Sequence, residues 1–397
     1  MRLHKNLVSA IANSSREILI SGRYADKAIE FILKHNSQWG SRDRRFVAEG
    51  IYDIVRNYRL FSTLAQSDTN FWFITGVWLC TKEMEIPAWP EFTHLNRADV
   101  LARKERLRNH PAIYESYPDW LWQLAEGELG TEKWTQEAMA MNKQAEVFLR
   151  TNMLKTNRAQ LMQMFGKLNI ATEEVHGLAE TIKLTKRENI FKSALFKEGY
   201  FEVQDKGSQQ ISRFLNPQPG QTIVDACAGG GGKTLHLAAL MQNKGRIISL
   251  DVEEWKLEEL KKRARRAGVH NVETRLIENT KTIKNLEAKA DRLLLDVPCS
   301  GLGVIKRNPD AKWKLSADSI AETKQKQEDI IQRYSAMLKT GGEMVYSTCS
   351  ILPSENQLQV QKFMAQNSRF SILEEKTILP SEGGDGFYMA RILKHEQ

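Results

Sequence analysis

Apolar positions in the first third of the chain recur at helical spacing. After Ser41, which the pattern makes an N-cap, Phe46, Val47, Ile51, Ile54, Val55 and Tyr58 share one face of a 3.6-residue period. Residues 25–33 and 120–129 read the same way, so residues 1–144 are expected to form an all-helical domain. The pattern then changes. Short apolar runs at 147–149 and 181–184 alternate with a helical stretch at 158–168, which predicts a small α+β module over residues 145–203. From Thr222 onward strands and helices alternate: TIVDA, a helix from Lys233, RIISLD, a helix over 254–266, NVETRL, DRLLLD, a long helix over 320–338, GGEMVYST, a helix over 355–364, and closing strands near Phe370 and Phe387. This alternation predicts a doubly wound, mainly parallel sheet over residues 204–397. Ligands of such sheets bind at the carboxyl ends of the strands, which puts Asp225, Asp251, Asp296 and Cys349 along one edge.

Composition changes this picture little. With 397 residues, 41% of them hydrophobic and 27% charged, the chain suits two or three globular domains. No apolar run is long enough to span a bilayer, and residues 71–80, the longest candidate, fall short. The N-terminus lacks a signal-peptide core, so a cytoplasmic protein with no membrane partner is expected. Of the nine tryptophans, six fall in residues 39–122. They suggest the core of an aromatic-rich bundle, with one or two available to stack on RNA bases. The net charge of +8 falls almost entirely on residues 145–397, which suits a polyanionic partner. Arg150, Lys155, Arg158, Lys183, Lys186 and Arg187 form either a phosphate-tracking cluster or a solvated face.

The loop DACAGGGGKT (225–234) has two lookalikes to separate. A phosphate-cradling GxxxxGK[ST] loop needs glycine where Cys227 stands, and a dinucleotide GxGxxG fingerprint from Gly229 needs glycine where Thr234 stands. Acid-x-small-x-Gly-x-Gly, carried by Asp225, Cys227, Gly229 and Gly231, fits better. Glycines there let backbone approach the amino-acid and sugar parts of S-adenosylmethionine. Asp251, ending the next strand, is placed to accept bonds from ribose hydroxyls, a feature shared with NAD sites. An NAD-dependent oxidoreductase, however, offers no role for what lies downstream.

There, Cys299 in DVPCSG and Cys349 in STCS follow two apolar strands. A lone cysteine in such a place is more often a buried small hydrophobe. Two of them at strand ends, beside Asp296, point to chemistry. Cys80 and Cys227 complete the four cysteines, and with no CxxC pair neither a disulfide framework nor a metal site is expected.

QDKGSQQI (204–211), DACAGGGGKT (225–234), LDVPCSGLGVIKRNPDAKW (295–313) and STCSILPSEN (347–356) resemble the Sun/RsmB family of RNA cytosine-C5 methyltransferases, in order and spacing over residues 145–397. WGSRDRRFVAEGIYDIVRN (39–57) resembles the NusB-like RNA-binding domain of the family's ribosomal-RNA branch. The resemblance implies a class I methyltransferase with a Rossmann-like sheet, a small α+β module and an all-α NusB-like N-terminal domain. It implies S-adenosylmethionine as cofactor, held by Asp225, Cys227, Ala228, Gly229, Gly230, Gly231, Gly232, Lys233, Asp251 and Asp296. The family's Ala-Pro is replaced here by Gly229-Gly230, which loosens the loop. For the adenine region the sequence offers Glu278 or Asn279, of which Glu278 is taken.

By the same resemblance Cys349 is the nucleophile, Cys299 assists proton removal or product release, Asp296 bonds the cytosine edge, and Lys233 holds the pyrimidine or a nearby phosphate. Pro-Cys is the nucleophile motif of DNA cytosine enzymes, so chemistry alone would also admit Cys299. The expected partner is 16S ribosomal RNA, unassembled or partly assembled, in which an unpaired cytosine costs less to extrude. Lys306-Arg307 and NPDAKW are expected to line its entrance. A monomer is expected, because RNA already supplies a large interface. A transfer-RNA methyltransferase and a non-catalytic ribosome-assembly factor are the alternatives.

Overall fold

The helical periodicity is realised in the helices Lys5–Leu19, Ala25–His35, Ser41–Arg56 and Phe71–Thr81, whose apolar faces share one core built on Leu7, Ile11, Ile51, Val55, Ile74 and Trp78. Ser41 is the first helical residue rather than the cap, which is Gly40. Inside that helix Gly50 is required by close packing, since a Cβ there would lie 2.7 Å from Ile11 Cδ1. Trp39, Trp78, Trp122 and Trp134 are buried, so for these four the core reading holds.

The computed structural model describes residues 3–396 and divides them into two units. The first runs to Gln144 and also takes in Ile305–Ala317; the second comprises Ala145–Val304 and Asp318–Gln397. This corrects two expectations. The catalytic region is not continuous over 204–397, and Lys306 and Lys312 are buried rather than free to line an RNA entrance. Lys312 is completely buried in the helical unit, where its ammonium donates to Arg56 O and Ser116 O, both at 3.1 Å, and to Asn142 Oδ1 at 2.6 Å. Burial and the nearby Arg56 charge push the Lys312 amine well below its ordinary range, while this set of acceptors favours its charged form. Trp313 Nε1 donates to Val55 O at 2.7 Å, and Lys306 is buried. These side chains complete the helical core.

In the second unit two sheets form. The smaller has order β2-β3-β1-β4, all antiparallel, from β1 (Phe148–Thr151), β2 (Thr172–Glu174), β3 (Thr181–Leu184) and β4 (Phe201–Val203), with the Arg158–Lys167 helix between β1 and β2. The larger contains β5 (Thr222–Asp225), β6 (Arg246–Asp251), β7 (Val272–Leu276), β8 (Ala290–Asp296), β9 (Leu338–Thr348), β10 (Phe370–Ile378) and β11 (Phe387–Lys394). Its order is β10-β11-β9-β8-β5-β6-β7. β5 to β9 run parallel, and β11 enters antiparallel to both β9 and β10. Strand order reverses between β5 and β8, and that switch point opens a crevice at their carboxyl ends. The fold is the doubly wound class I methyltransferase sheet.

Most basic residues of the small module bond to groups of the second unit, Arg150 and Lys155 across to the region of the large sheet and the others within the module. Arg150 is buried and donates to Gly232 O at 2.6 Å. Lys155 reaches Glu198 O and Arg266 O, Arg158 pairs with Glu174, Lys183 with Glu146, and Arg187 donates to Ala145 O. Five of the six cluster members therefore tie the unit together internally, and the phosphate-tracking reading loses its support.

Glu180 is the most consequential of these joints. It is buried just before β3, accepting from His236 Nε2 at 2.9 Å and from Arg213 Nε at 2.6 Å. Burial opposes its charge, yet hydrogen bonds from His236 and Arg213 hold its carboxyl well below the usual range. Burial and the Arg150 charge push His236 down to about 4, so at neutral pH it is an uncharged donor and Arg213 supplies the countercharge. A depressed carboxyl contributes stability above its unfolded pKa of about 4.3 that is lost as pH falls below it. Glu180→Ala strands both donors, and a loss of about 3 kcal/mol is expected at pH 7. Chemical denaturation of the two proteins reads it directly, and the gap should narrow below about pH 4.

Candidate active site

The glycine loop connects β5 to the Gly232–Leu240 helix, and its shape follows from backbone that only glycine adopts easily. Gly231 caps that helix at φ +82°, where a Cβ would also lie 2.4 Å from Leu260 Cγ. Gly229, at φ +53°, donates its N–H to Asp251 Oδ2 at 2.8 Å, and the Asp251 Oδ1 accepts from Glu253 N at 2.9 Å. Arg263 holds the Gly230 carbonyl at 2.7 Å. The loop that Gly229-Gly230 loosens in sequence is thus pinned in space by an acid and an arginine.

Asp225 lies beneath the loop. Its Oδ2 accepts from Thr234 Oγ1 at 2.7 Å, while its buried Oδ1 has no hydrogen-bond partner among the described residues. Burial pushes the Asp225 carboxyl up to about 7, against the Thr234 hydrogen bond and with help from the charges of Asp296 and Asp251. Burial likewise raises the Cys227 thiol well above its usual range. A Cβ placed on Gly229 would meet no atom of the described residues within 4 Å, so the loop faces open space beside an acceptor in need of a donor. A cationic, amine-bearing ligand such as S-adenosylmethionine fits that chemistry.

The Asp225 shift has a testable sign. Between about pH 4 and pH 7 the folded chain keeps a proton that the unfolded chain has released, so stability falls as pH rises through that window. Asp225→Asn removes this dependence, with an expected gain on the order of 2 kcal/mol at pH 8 in the ligand-free chain. Denaturation midpoints at pH 5 and pH 8 check it; parallel pH profiles for both proteins would count against a raised carboxyl.

Glu278 lies exposed just past β7. Asn279 caps the Thr280–Lys284 helix, its side chain accepting from Lys281 N at 2.9 Å. Its oxygen is therefore spent on local structure, which leaves Glu278 as the acid at that strand end.

The two thiols meet. β8 and β9 pair in parallel with Asp296 opposite Ser347, so the loops after them leave side by side. Cys299 Sγ lies 3.1 Å from Cys349 Sγ and accepts from Cys349 N at 3.3 Å. The Cys349 sulfur beside it, followed by burial, pushes the Cys299 thiol well above its ordinary range, so Cys299 carries its proton at neutral pH. Asp296 accepts from Lys233 Nζ at 2.7 Å on one oxygen and from Ser347 Oγ at 3.0 Å on the other. Burial works against the Lys233 charge, but Asp296, by charge and hydrogen bond, outweighs it and the ammonium titrates above its usual value. Ser347 was not singled out from sequence. Its signal is its place two residues before Cys349 in the same motif, on the same face at the end of a strand.

Comparisons with known proteins point to one family. A family model described as 16S rRNA methyltransferase RsmB/F matches residues 212–393, and one for the RsmF/B-like ferredoxin-like domain matches residues 117–190. The ribosomal RNA small subunit methyltransferase B of Yersinia enterocolitica is 34% identical over 300 residues, covering 73% of this chain and 69% of its own. The probable ribosomal RNA small subunit methyltransferase B of Synechocystis is 37% identical over 251 residues, covering 63% of this chain; the match spans 56% of that relative's length. The crystal structure of PH0851 superposes with a TM-score of 0.83 at 23% identity, over 99% of this chain and 100% of that one, which shows a shared fold.

Proposed function

The chain belongs to the 16S rRNA methyltransferase RsmB/F family, and from that premise we propose that it methylates carbon 5 of a cytosine in small-subunit ribosomal RNA through a covalent bond between Cys349 and carbon 6. The observation that carries this reading is the pair of thiols in contact beside the Lys233–Asp296 ion pair. A protein that only binds RNA has no use for such a pair.

Cytosine carbon 5 is a weak nucleophile until a thiolate adds to carbon 6 and turns the ring into an enamine. Cys349 is assigned that addition because its STCS motif (347–350) resembles the family's nucleophile motif, with Cys299 Sγ 3.1 Å away as its partner. Asp296 is only partly buried and lies at the same strand end, so it can hydrogen-bond the N3/N4 edge of the base. Lys233, 2.7 Å away, balances the charge of that carboxylate between substrates. S-adenosylmethionine, when bound, supplies the electrophilic methyl group that carbon 5 accepts. Asp225, Asp251 and the backbone of Gly229 to Gly232 are the groups assigned to hold it, with Cys227, Ala228 and Glu278 at its margins. Transfer of the carbon 5 proton to solvent water then restores the double bond and expels Cys349 as thiolate. Cys299, in contact with that sulfur, is assigned to the release.

The test is methylation of protein-free 16S transcript with methyl-labelled S-adenosylmethionine, followed by bisulfite sequencing. One protected cytosine is the expected result. Label on another base, or in transfer RNA alone, would sink the assignment.

A further inference from the structure

Glu355 is fully buried in the short turn Pro353–Glu355, six residues beyond Cys349, and nothing in the chemistry above uses it. Its Oε1 accepts from Ser300 N at 2.8 Å and from Gln327 Nε2 at 3.1 Å. Its Oε2 accepts from Ser300 Oγ at 2.5 Å and from Ser350 Oγ. Each carboxyl oxygen thus takes part in two hydrogen bonds, which meets the condition for burying such a polar group without a stranded acceptor.

The donors are not scattered. Ser300 directly follows Cys299, and Ser350 directly follows Cys349. Gln327, from the Ala317–Tyr334 helix, also donates to Pro298 O at 2.9 Å, on the other side of Cys299. Tyr346 donates its hydroxyl to the Glu355 carbonyl at 2.7 Å, which ties the turn itself to β9. The backbone bonds Val297 N to Ser347 O at 3.0 Å and Gly303 N to Cys349 O at 2.9 Å align the two chain segments. Neither reaches the residues that follow the two sulfurs. Ser300 Oγ and Ser350 Oγ meet directly at 3.2 Å, and the Glu355 side chain holds that pair from one point.

We propose that Glu355 is a positioning residue: one buried carboxylate, bonded to Ser300 and Ser350, that fixes the Cys299 and Cys349 loops so that their sulfurs stay in contact. Its value for turnover rests on the cysteine roles proposed above, whereas the geometric statement concerns the thiol pair alone. A wandering Cys299 would leave the Cys349 adduct without its release partner.

The experiment uses the full chain and a reading of thiol proximity. Diamide takes two hydrogens from a pair of thiols, becoming the hydrazine and leaving a disulfide. Peptide mapping then follows closure of Cys299 to Cys349, with Cys227 and Cys80 as internal standards. Glu355→Ala, checked as folded by circular dichroism, should close this pair about tenfold more slowly than the unaltered chain, because proximity sets the effective concentration of one thiol at the other. Glu355→Gln keeps an oxygen for Ser300 N and should fall between them. In methylation assays, kcat should drop in the same order while KM for S-adenosylmethionine stays constant. Should Glu355→Ala fail to fold, the Ser300→Ala/Ser350→Ala double variant carries the same expectation. Disulfide closure at the unaltered rate in a folded variant overturns the proposal, even where methylation is lost. Slowed closure in a chain that methylates no cytosine upholds it and overturns the proposed reaction instead.

Discussion

Cys349→Ala is expected to abolish methyl transfer, lowering turnover by at least about 1000-fold, and to remove any covalent protein–RNA species. The size follows from the chemistry: without the thiolate, carbon 5 stays unactivated unless Cys299 takes over the addition. Asp296 and Lys233 sit at the same strand end, but a carboxylate and an ammonium already paired at 2.7 Å are poor nucleophiles toward carbon 6. S-adenosylmethionine affinity should be unchanged, because the glycine loop, Asp225 and Asp251 do not depend on this sulfur for any hydrogen bond. The checks are incorporation of labelled methyl into 16S transcript and a denaturing gel for RNA-linked protein. Retained turnover would move the nucleophile to Cys299, as in enzymes that use a Pro-Cys motif.

Cys299→Ala should behave in the opposite way. Addition at carbon 6 and methylation at carbon 5 remain available, but the thiol that lies 3.1 Å from Cys349 Sγ is absent when the product must leave. The expected result is a stable protein–RNA adduct resistant to denaturant, with multiple turnover reduced by about 100-fold or more while a first round of methylation still occurs. Single-turnover and steady-state rates, measured side by side, separate the two steps. Equal losses in both would assign Cys299 to methylation itself rather than release. The raised Cys299 thiol adds a pH expectation: it stays protonated through the neutral range, so release should not fall away between pH 6 and pH 8 for lack of that proton.

Much of the fold is legible in the chain because its determinants are local. Apolar runs such as IIS in β6 and LLL in β8 can only be buried strands, and the helices between them carry one apolar stripe each. The glycine loop is legible for the same reason: Gly231 needs a left-handed backbone at the mouth of a helix, and no contact partner has to be known to see it. Asp225, Asp251, Asp296 and Cys349 could be set on one sheet edge from strand ends alone.

Other features depend on partners far away in sequence. Lys306-Arg307 and NPDAKW read as the lining of an RNA entrance, yet Lys312 finds its carbonyl acceptors at residues 56 and 116, and Ile305–Ala317 group with the helical unit. Arg150 reads as part of a phosphate-tracking cluster, but it is buried with its guanidinium on Gly232 O, while Lys155 and Arg158 bond Arg266 O and Glu174 nearer the surface. A positive charge looks the same in sequence whether it faces solvent or a buried carbonyl.

The thiols mark the boundary most clearly. By itself the sequence determined that two cysteines follow two strands of one mainly parallel sheet, with an aspartate and a glycine loop at the same edge, because strand ends and motifs are written in adjacent residues. Only the tertiary structure decided that the sulfurs touch, that Ser347 and Lys233 share Asp296, and that Glu355 joins the two loops. The physical reason is separation along the chain. These contacts bridge residues up to 63 apart, and their distances are set by strand register and by what is buried between the strands.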